Sequence, residues 1–271
     1  MLKKLFILVF VFFIFVSAGK YVPAELKISG ATTIQLIIGD VAKLYEKETG
    51  VKINIVNVGG SDVGVNDVVN NKTDIGMVSR KLTEEELNKG LLNYTIGYDS
   101  VVVILNTQLE IDELSNEQIK NIYTGKITNW NKINAKYNEK IIVVSREDGR
   151  AEKDIFRHYF KIEEIITDKV FVFDLNEGVA AYVESDPYAI GYISYGILKM
   201  EAEHENQIKP IKLNKIQVSD ENIKNGTYPI KRELNLITNK YPNDNIKRFI
   251  DFVLSERGQK IIAEKQFMSI K

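Results

Sequence analysis

The chain contains no cysteine, only two histidines and a single tryptophan among its 271 residues. The absence of cysteine excludes disulfide bonds, thiol chemistry, cysteine-ligated metal sites and a lipid-modified cysteine anchor. The two histidines, His158 and His204, lie far apart in polar segments, so we expect both at the surface. No histidine cluster has the spacing of a metal site, and no Ser-His-Asp arrangement is recognisable. We therefore expect no metal, no cofactor and no catalytic residues.

An excess of charge of one sign is also missing. Lysine and arginine total 36 residues and aspartate and glutamate total 37, which gives a formal net charge of -1. A nucleic-acid-binding surface normally brings an excess of basic residues, so this class of partner is excluded. An anion-binding site in this chain must therefore depend on local geometry rather than on the field of the whole protein.

Only the N-terminus has a long apolar run. Two lysines precede 12 apolar residues, Leu5–Val16, and the small residues Ser17 and Ala18 follow them. A run of this length is short for a membrane span and fits the central region of a secretory signal peptide. We expect residues 1–19 to be a signal peptide and the mature protein to be exported, either periplasmic or associated with the cell surface. An uncleaved N-terminal anchor is the alternative.

Strand-like and helical patterns alternate along the rest of the chain. The first part reads strand, helix, strand, helix, strand, with the first helix over Thr33–Glu48. This order predicts a parallel sheet flanked by helices. A second alternation begins after the apolar run Val101–Leu105. We therefore predict an α/β fold with two lobes, each a mainly parallel sheet flanked by helices. Residues 24–104 and 228–271 are predicted to form lobe I, and residues 105–227 lobe II.

Three short segments combine hydroxyl groups, small residues and glycine where a strand leads into a helix. Unpaired backbone N–H groups and the positive end of the helix dipole meet at such points, which favours anion binding. The segments are Gly30-Ala31-Thr32-Thr33, Gly59-Gly60-Ser61-Asp62 and Ser145-Arg146-Glu147-Asp148-Gly149-Arg150. Together they predict a site for a small oxyanion. The structural alternatives are helix capping by Thr32 or Thr33 and a tight turn at Gly59-Gly60.

Arg146 is the most informative residue of these segments. It follows the apolar run Ile141–Val144, so its guanidinium is expected at the C-terminal edge of a sheet, where open α/β sheets bind ligands. The planar guanidinium can donate to two oxygens of one oxyanion at the same time. A salt bridge to Glu147 or Asp148 is the alternative, and we favour the ligand role.

Four further segments contain recognisable motifs, and the order of these motifs along the chain is informative. IYTGKITNW occupies 122–130, and DIGMVSR, AIGYIS and FVLSERGQK occupy 74–80, 189–194 and 252–260. In this order the chain resembles the substrate-binding proteins of phosphate ABC transporters, which have the type 2 periplasmic binding protein fold. The resemblance spans most of the chain after the N-terminal segment. It implies a two-lobed clamp that binds phosphate in the interlobe cleft, closes about a hinge and docks on a membrane permease.

The resemblance also implies which residues contact the anion. Thr32 and Thr33 match the first binding loop of the family, in which hydroxyl and backbone N–H groups face the ligand. Ser61 matches the second loop. Arg146 matches the arginine that reaches the anion from the other lobe.

Three positions depart from the family pattern. Arg150 stands where a serine is usual, Glu152 where a threonine is usual, and Ser79 where some relatives have an aspartate that accepts the proton of phosphate. We predict Ser79, Gly149 and Arg150 as further ligand contacts. Arg150 either supplies a second positive charge or faces solvent. Glu152 either accepts a proton from the anion or pairs with Arg150 or Lys153. We favour the pairing, because an unpaired carboxylate repels a bound dianion.

Phosphate is the leading candidate for the ligand. We expect an extracytoplasmic, monomeric binding protein that delivers phosphate to the membrane permease of an ABC importer. The altered third segment leaves open the same clamp with specificity for another tetrahedral oxyanion, namely sulfate, molybdate or tungstate. A non-transport anion sensor is the third possibility.

Overall fold

The structure is a computed structural model that describes residues 25–165, 170–204 and 207–271. The predicted signal peptide at residues 1–19 lies outside these ranges. The strands are β1 (Glu25–Gly30), β2 (Lys52–Asn57), β3 (Ile75–Val78), β4 (Leu92–Asp99), β5 (Val101–Asn106), β6 (Glu113–Leu114), β7 (Ile142–Arg146), β8 (Val170–Phe173), β9 (Ala189–Ser194), β10 (Ile208–Pro210), β11 (Lys212–Leu213), β12 (Arg232–Thr238) and β13 (Met268–Ser269).

The helices alternate with these strands through much of the described sequence. They are α1 (Thr32–Thr49), α2 (Ser61–Val69), α3 (Glu84–Asn88), α4 (Asn116–Tyr123), α5 (Ala151–Phe160), α6 (Asn176–Ser185), α7 (Tyr195–Glu201), α8 (Asp220–Lys224), α9 (Asp244–Leu254) and α10 (Glu256–Glu264). A single 3-10 turn is formed by Trp130–Lys132. Within the described ranges, no helix is both long enough and apolar enough to cross a membrane.

Helix α1 shows how the spacing of apolar residues determines the local structure. Its buried apolar side chains recur at intervals of three and four residues and are those of Ile34, Ile37, Ile38 and Val41. This spacing places them on one face of a helix, which packs on the first sheet. Gly50 ends the helix in a left-handed conformation with a φ of 71°, as glycine commonly does at this position. The helix predicted over Thr33–Glu48 is confirmed.

The first sheet has six strands in the order β13-β4-β12-β3-β1-β2. Strand β1 pairs in parallel with both β2 and β3, as the alternation of strands and helices predicts. Strand β12 lies antiparallel between β3 and β4. Apolar residues of α1, α9 and α10 cover this sheet and form one continuous core with it. The first two predicted anion-binding segments lie at the edge of this sheet where the parallel strands β1 and β3 end.

The second sheet has five strands in the order β10-β5-β9-β7-β8. Strand β7 is parallel to β8 and β9, whereas β5 is antiparallel to β9 and β10. The α/β architecture of two helix-flanked sheets is confirmed, but both sheets are mixed rather than mainly parallel. A parallel neighbour requires a crossover connection. Strands β4, β5 and β12 have antiparallel neighbours because they lead the chain from one sheet to the other without such a crossover.

The chain passes between the two sheets at two adjacent points. Strand β4 ends at Asp99 and β5 begins at Val101, so Ser100 forms the first crossing. The Ser100 hydroxyl donates to the carbonyl of Ile230, which belongs to the second crossing, just before β12. The two crossings therefore lie side by side. The predicted boundary after residue 104 falls inside β5, which pairs with strands of the second sheet. Below, lobe I means the part of the chain around the first sheet and lobe II the part around the second.

Candidate anion-binding site

Four of the ten helices in the described ranges begin without a side-chain cap. Their N-cap positions are Ala31 for α1, Gly60 for α2, Arg150 for α5 and Leu175 for α6. The six others have a Ser, Thr or Asn N-cap whose side chain accepts a backbone N–H. A helix without a cap leaves the N–H groups of its first turn for another acceptor. The four uncapped helices are those whose first residues meet between the lobes.

Lobe I contributes three hydroxyl side chains to this place. Thr33 Oγ1 donates a hydrogen bond of 2.8 Å to Oε1 of Glu152, which belongs to lobe II. Ser61 Oγ accepts the backbone N–H of Ser79 at 3.1 Å, and the two serine hydroxyl oxygens lie 3.4 Å apart. All three side chains are buried. The structure thus brings the first two predicted segments together with the end of β3.

Arg146 is the last residue of β7, and its side chain is fully buried. Among the described residues, none forms a hydrogen bond with its Nε, Nη1 or Nη2. The nearest carboxylate is that of Glu152, with 3.8 Å between Arg146 Nη2 and Glu152 Oε2. Burial lowers the pKa of the Arg146 guanidinium below its ordinary value. A buried guanidinium without acceptors is unfavourable, so this side chain can accommodate an anion. The alternative of a salt bridge to Glu147 or Asp148 is not formed.

The turn after β7 touches lobe I. Gly149 has a φ of 76° and Gly60 a φ of 105°, conformations that favour glycine. A Cβ added to Gly60 would lie 2.4 Å from the carbonyl oxygen of Gly149, so the two backbones are in close contact. Next to them, Arg150 Nε and Nη1 are buried and have no hydrogen-bond partner within the part of the chain that the structure describes. Arg150 therefore brings a second guanidinium to the cleft.

The ion pairs of this turn differ from those that the sequence predicts. Lys153 Nζ lies 2.8 Å from Asp148 Oδ1, and Arg150 Nη2 lies 3.7 Å from Glu147 Oε2. The predicted pairing of Glu152 with Arg150 or Lys153 is wrong. The reason is geometric: Glu152 is the second residue of α5 and is buried between the lobes.

The Glu152 carboxylate lies at the centre of the site. Its Oε1 accepts hydrogen bonds from Thr33 Oγ1 at 2.8 Å, Arg232 Nη2 at 2.9 Å and Asn176 Nδ2 at 3.3 Å. Burial would raise the pKa of Glu152, but the positive charges of Arg232 and Arg146 hold it well below its usual range. The carboxylate is therefore ionised at neutral pH and acts only as an acceptor.

Arg232 and Asp99 form a buried ion pair that the sequence pattern did not reveal. Arg232 Nε and Nη2 donate to Asp99 Oδ2 at 3.0 and 2.6 Å. Asp99 Oδ2 also accepts from the Ser194 hydroxyl at 2.7 Å. Asp99 ends β4 and Arg232 begins β12, so the pair joins the two crossings to the site. The available signal was a charged residue at the end of β4, Asp99, and another at the start of β12, Arg232.

Asn176 is a third residue that sequence reasoning missed. Its Oδ1 accepts the N–H of Ser194 at 3.0 Å while its amide group donates to Glu152. Asn176 also lines a cavity of about 160 Å³ together with Thr32 and Leu175. Thr32 thus lies beside the central cluster and faces the start of α6. An asparagine at the beginning of a helix is usually interpreted as an N-cap, so the sequence alone does not indicate that Asn176 also contacts Glu152.

The two histidines and the tryptophan are not among the contacts of the site described above. His158 and His204 are exposed, as predicted. Trp130 is buried in lobe II and its Nε1 donates to the carbonyl of Tyr188 at 2.9 Å. The tryptophan therefore packs its own loop and does not reach the cleft.

The chain matches the model of the PBP superfamily domain over residues 17–257. The phosphate-binding protein PstS of Borreliella burgdorferi is 29% identical over 258 residues, which cover 90% of this chain and 89% of that protein. PstS of Bacillus subtilis is 26% identical over 250 residues, which cover 89% of this chain and 79% of the relative.

The chain is also similar in fold to solved structures of phosphate transport proteins. A Clostridium perfringens protein described as a phosphate ABC transporter substrate-binding protein, with phosphate bound, has a TM-score of 0.81 at 31% identity and covers 91% of this chain and 100% of its own. An ABC-type phosphate transport receptor from Vibrio cholerae has a TM-score of 0.76 at 27% identity, over 90% of this chain and 99% of its own. The substrate-binding domain of a molybdenum ABC transporter from Clostridium difficile, with a TM-score of 0.53 at 17% identity, shares the fold alone.

Proposed function

The chain belongs to the PBP superfamily and, within it, to the phosphate ABC transporter substrate-binding proteins, and on this basis we propose that it captures inorganic phosphate between its lobes and delivers it to an ABC importer. The fold is that of type 2 periplasmic binding proteins. We further propose that the protein works outside the cytoplasm, beside the permease of that importer. We also propose that it acts as a monomer; in support of this, both halves of the site come from one chain, so that a second copy is not needed to complete it.

The buried guanidinium of Arg146 is the observation that supports this function most strongly. It lies among four uncapped helix N-termini, and none of its nitrogen atoms has a hydrogen-bond partner in the described ranges. Phosphate has several oxygen lone pairs and little apolar surface, so its binding requires many converging donors. We propose that Thr33, Ser61 and Arg146 are the central contacts, with Thr32, Ser79, Gly149 and Arg150 around them.

Closure of the cleft follows from this distribution of donors. Thr33 and Ser61 belong to lobe I, and Arg146 belongs to lobe II. An anion held by both lobes binds the closed form more tightly than the open form and therefore stabilises the closed form. The adjacent crossings at Ser100 and Ile230 form the hinge in this proposal. The closed form is then the one presented to the permease.

We assign no chemical step to the site. The relatives named above are binding and transport proteins. The buried carboxylates of Asp99 and Glu152 are both bound by Arg232, so neither is free to act as a general base.

Isothermal titration calorimetry of an Arg146→Ala variant with phosphate tests the proposed function. We expect the affinity to fall by at least about two orders of magnitude, because the substitution removes a buried charged donor. The fold should persist, since the guanidinium makes no hydrogen bond to the described residues. Arg248→Ala is the matched control, because Arg248 is exposed on α9 of lobe I. Unchanged phosphate affinity in the Arg146 variant would contradict the assignment of the site.

A second candidate is the same clamp for sulfate, molybdate or tungstate. The second guanidinium, that of Arg150, favours it, because an additional cation strengthens binding of a fully ionised oxyanion. Ser79 also favours it, because a hydroxyl does not reject an unprotonated oxygen as a carboxylate would. A displacement series with phosphate as the first ligand distinguishes the two. Displacement by sulfate at equal concentration would support the second candidate.

A further inference from the structure

The carboxylate of Glu152 already occupies the position of an anion that bridges the lobes. Glu152 belongs to α5 in lobe II, and its carboxylate accepts hydrogen bonds from Thr33 and Arg232 of lobe I at 2.8 and 2.9 Å. Within lobe II, Asn176 donates to it at 3.3 Å and Arg146 lies 3.8 Å away. Donors from both lobes therefore converge on a group of the protein itself.

Charge and burial make this bridge strong. Glu152, Arg146 and Arg232 are all buried, and Glu152 lies at the uncapped start of α5, close to the uncapped starts of α1 and α6. Helix N-termini and buried guanidiniums stabilise a negative charge, and charge-assisted hydrogen bonds exceed neutral ones in strength. The features that suit the site to phosphate thus serve an internal carboxylate equally well.

The bridge uses donors that phosphate would also need. The Thr33 hydroxyl has one proton to donate, and it is directed at Glu152 Oε1. Glu152 Oε2 faces the guanidinium of Arg146, the main proposed contact of the ligand. A bound oxyanion and an ionised carboxylate at this distance repel each other.

We propose that Glu152 is a built-in anion that holds the two lobes together in the absence of ligand and competes with the incoming oxyanion for Thr33 and Arg146. The competition rests on the proposed function, whereas the bridge between the lobes does not. A ligand-free protein of this kind is already closed, and an oxyanion must displace the carboxylate to bind.

Small-angle X-ray scattering of a Glu152→Gln variant tests the bridge without ligand. Glutamine keeps the size of the side chain but removes its charge, so the ion pairs with Arg232 and Arg146 are lost. After removal of bound anions by unfolding, dialysis and refolding, we expect a larger radius of gyration for this variant than for the wild type. Glu147→Gln is the matched control, because Glu147 lies on the same turn but is exposed, and within the described ranges its carboxylate pairs with Arg150 and not with lobe I.

Phosphate titration tests the competition. In the Glu152→Gln variant we expect phosphate to bind at least about tenfold more tightly than in the wild type, because the competing charge is gone. We also expect phosphate to reduce the radius of gyration of the variant and to change that of the wild type little. Weaker phosphate binding by the variant would overturn the competition.

The controls separate this proposal from the proposed function. An unchanged radius of gyration in a ligand-free Glu152→Gln protein with a wild-type melting temperature would overturn the bridge. If that variant fails to fold, Thr33→Val removes the lobe I hydroxyl from the same carboxylate and should also expand the ligand-free protein. If no protein binds phosphate but Glu152→Gln still expands, the proposed function fails and the bridge stands.

Discussion

Arg146 and Arg232 are both buried arginines, and they differ in what surrounds their guanidinium groups. Arg232 donates to Asp99 and Glu152, whereas the nitrogen atoms of Arg146 have no hydrogen-bond partner in the described ranges. Burial would lower the pKa of Arg232, but the charges of Glu152 and Asp99 raise it. At the scale of single residues, one arginine is thus part of the structure and the other is available to a ligand.

Substitution of these two arginines by methionine should change stability by very different amounts. Arg232→Met leaves the carboxylates of Asp99 and Glu152 buried without their cation, and we expect the free energy of unfolding to fall by about 3–5 kcal/mol. Arg146→Met removes a buried cation without acceptors, and we expect no loss in the ligand-free protein. Urea unfolding of both variants measures the difference. A large loss for Arg146→Met would show that its 3.8 Å contact with Glu152 is structural.

Glu152 also predicts a pH dependence of stability. Its pKa in the folded protein is held well below the value of about 4.3 that an unfolded glutamate has. A lowered pKa contributes stability above the unfolded value, and this contribution is lost as the pH falls towards the folded pKa. We expect the free energy of unfolding of the wild type to fall more steeply below about pH 4.3 than that of Glu152→Gln. Denaturant unfolding at a series of acidic pH values measures both slopes, and equal slopes would contradict the ionised, buried state of Glu152.

At the scale of elements, the described helices divide by their N-caps. Thr83 and Ser115 form complete capping boxes for α3 and α4, away from the site. Helices α1, α2, α5 and α6 lack a side-chain cap and meet at the cleft. In the proposed function, the helix starts without a cap are those whose N–H groups face the anion.

Removal of a structural cap should lower stability without affecting the ligand. Ser115→Ala removes the hydroxyl that accepts the N–H of Gln118, and we expect a loss of about 1 kcal/mol in the free energy of unfolding. Ser115→Asn is the matched control, because asparagine is an equally good N-cap. Chemical unfolding and phosphate titration are compared for both variants. A changed phosphate affinity in either one would contradict the separation of the two kinds of helix start.

Local elements were the part of the fold that the sequence could predict. Helix α1 matches the predicted helix Thr33–Glu48 to within one residue at each end, because it depends on a short-range pattern of apolar residues. The mixed pairing of the sheets could not be predicted in this way, because strand direction depends on partners far along the chain. The same limit hid Arg232, whose partners Asp99 and Glu152 are 133 and 80 residues away in sequence. Arg146 was predictable since its own strand and turn determine its position.

At the scale of the whole molecule, closure depends on a contact between two glycines. Gly60 of lobe I has a φ of 105°, and a Cβ there would lie 2.4 Å from the Gly149 carbonyl oxygen of lobe II. An atom at this distance cannot be accommodated without movement of one backbone. The lobes can therefore approach this closely only because residue 60 has no side chain.

Gly60→Ala should hold the lobes apart. We expect a larger radius of gyration in saturating phosphate and weaker phosphate binding than in the wild type. Gly50→Ala is the matched control, because Gly50 also has a positive φ but open space around its Cβ position. Gly50 has the left-handed conformation with a φ of 71° and a ψ of 1°, whereas Gly60, with a φ of 105° and a ψ of 177°, lies in a region that is essentially restricted to glycine. The scattering and affinity of each variant are therefore compared together with its free energy of unfolding. Equal scattering and affinity in both variants would contradict the role of this contact.

The position of β12 has a consequence for biosynthesis. This strand, Arg232–Thr238, lies between β3 and β4 in the first sheet, although it follows every strand of the second sheet in sequence. During translation, β3 and β4 therefore cannot pair with β12, their shared neighbour, until the whole of lobe II and β12 itself have been synthesised. Lobe II is one continuous segment of the chain between the two crossings. It can therefore fold first. Late completion of lobe I would keep the molecule in an incompletely folded form until its last residues have been made.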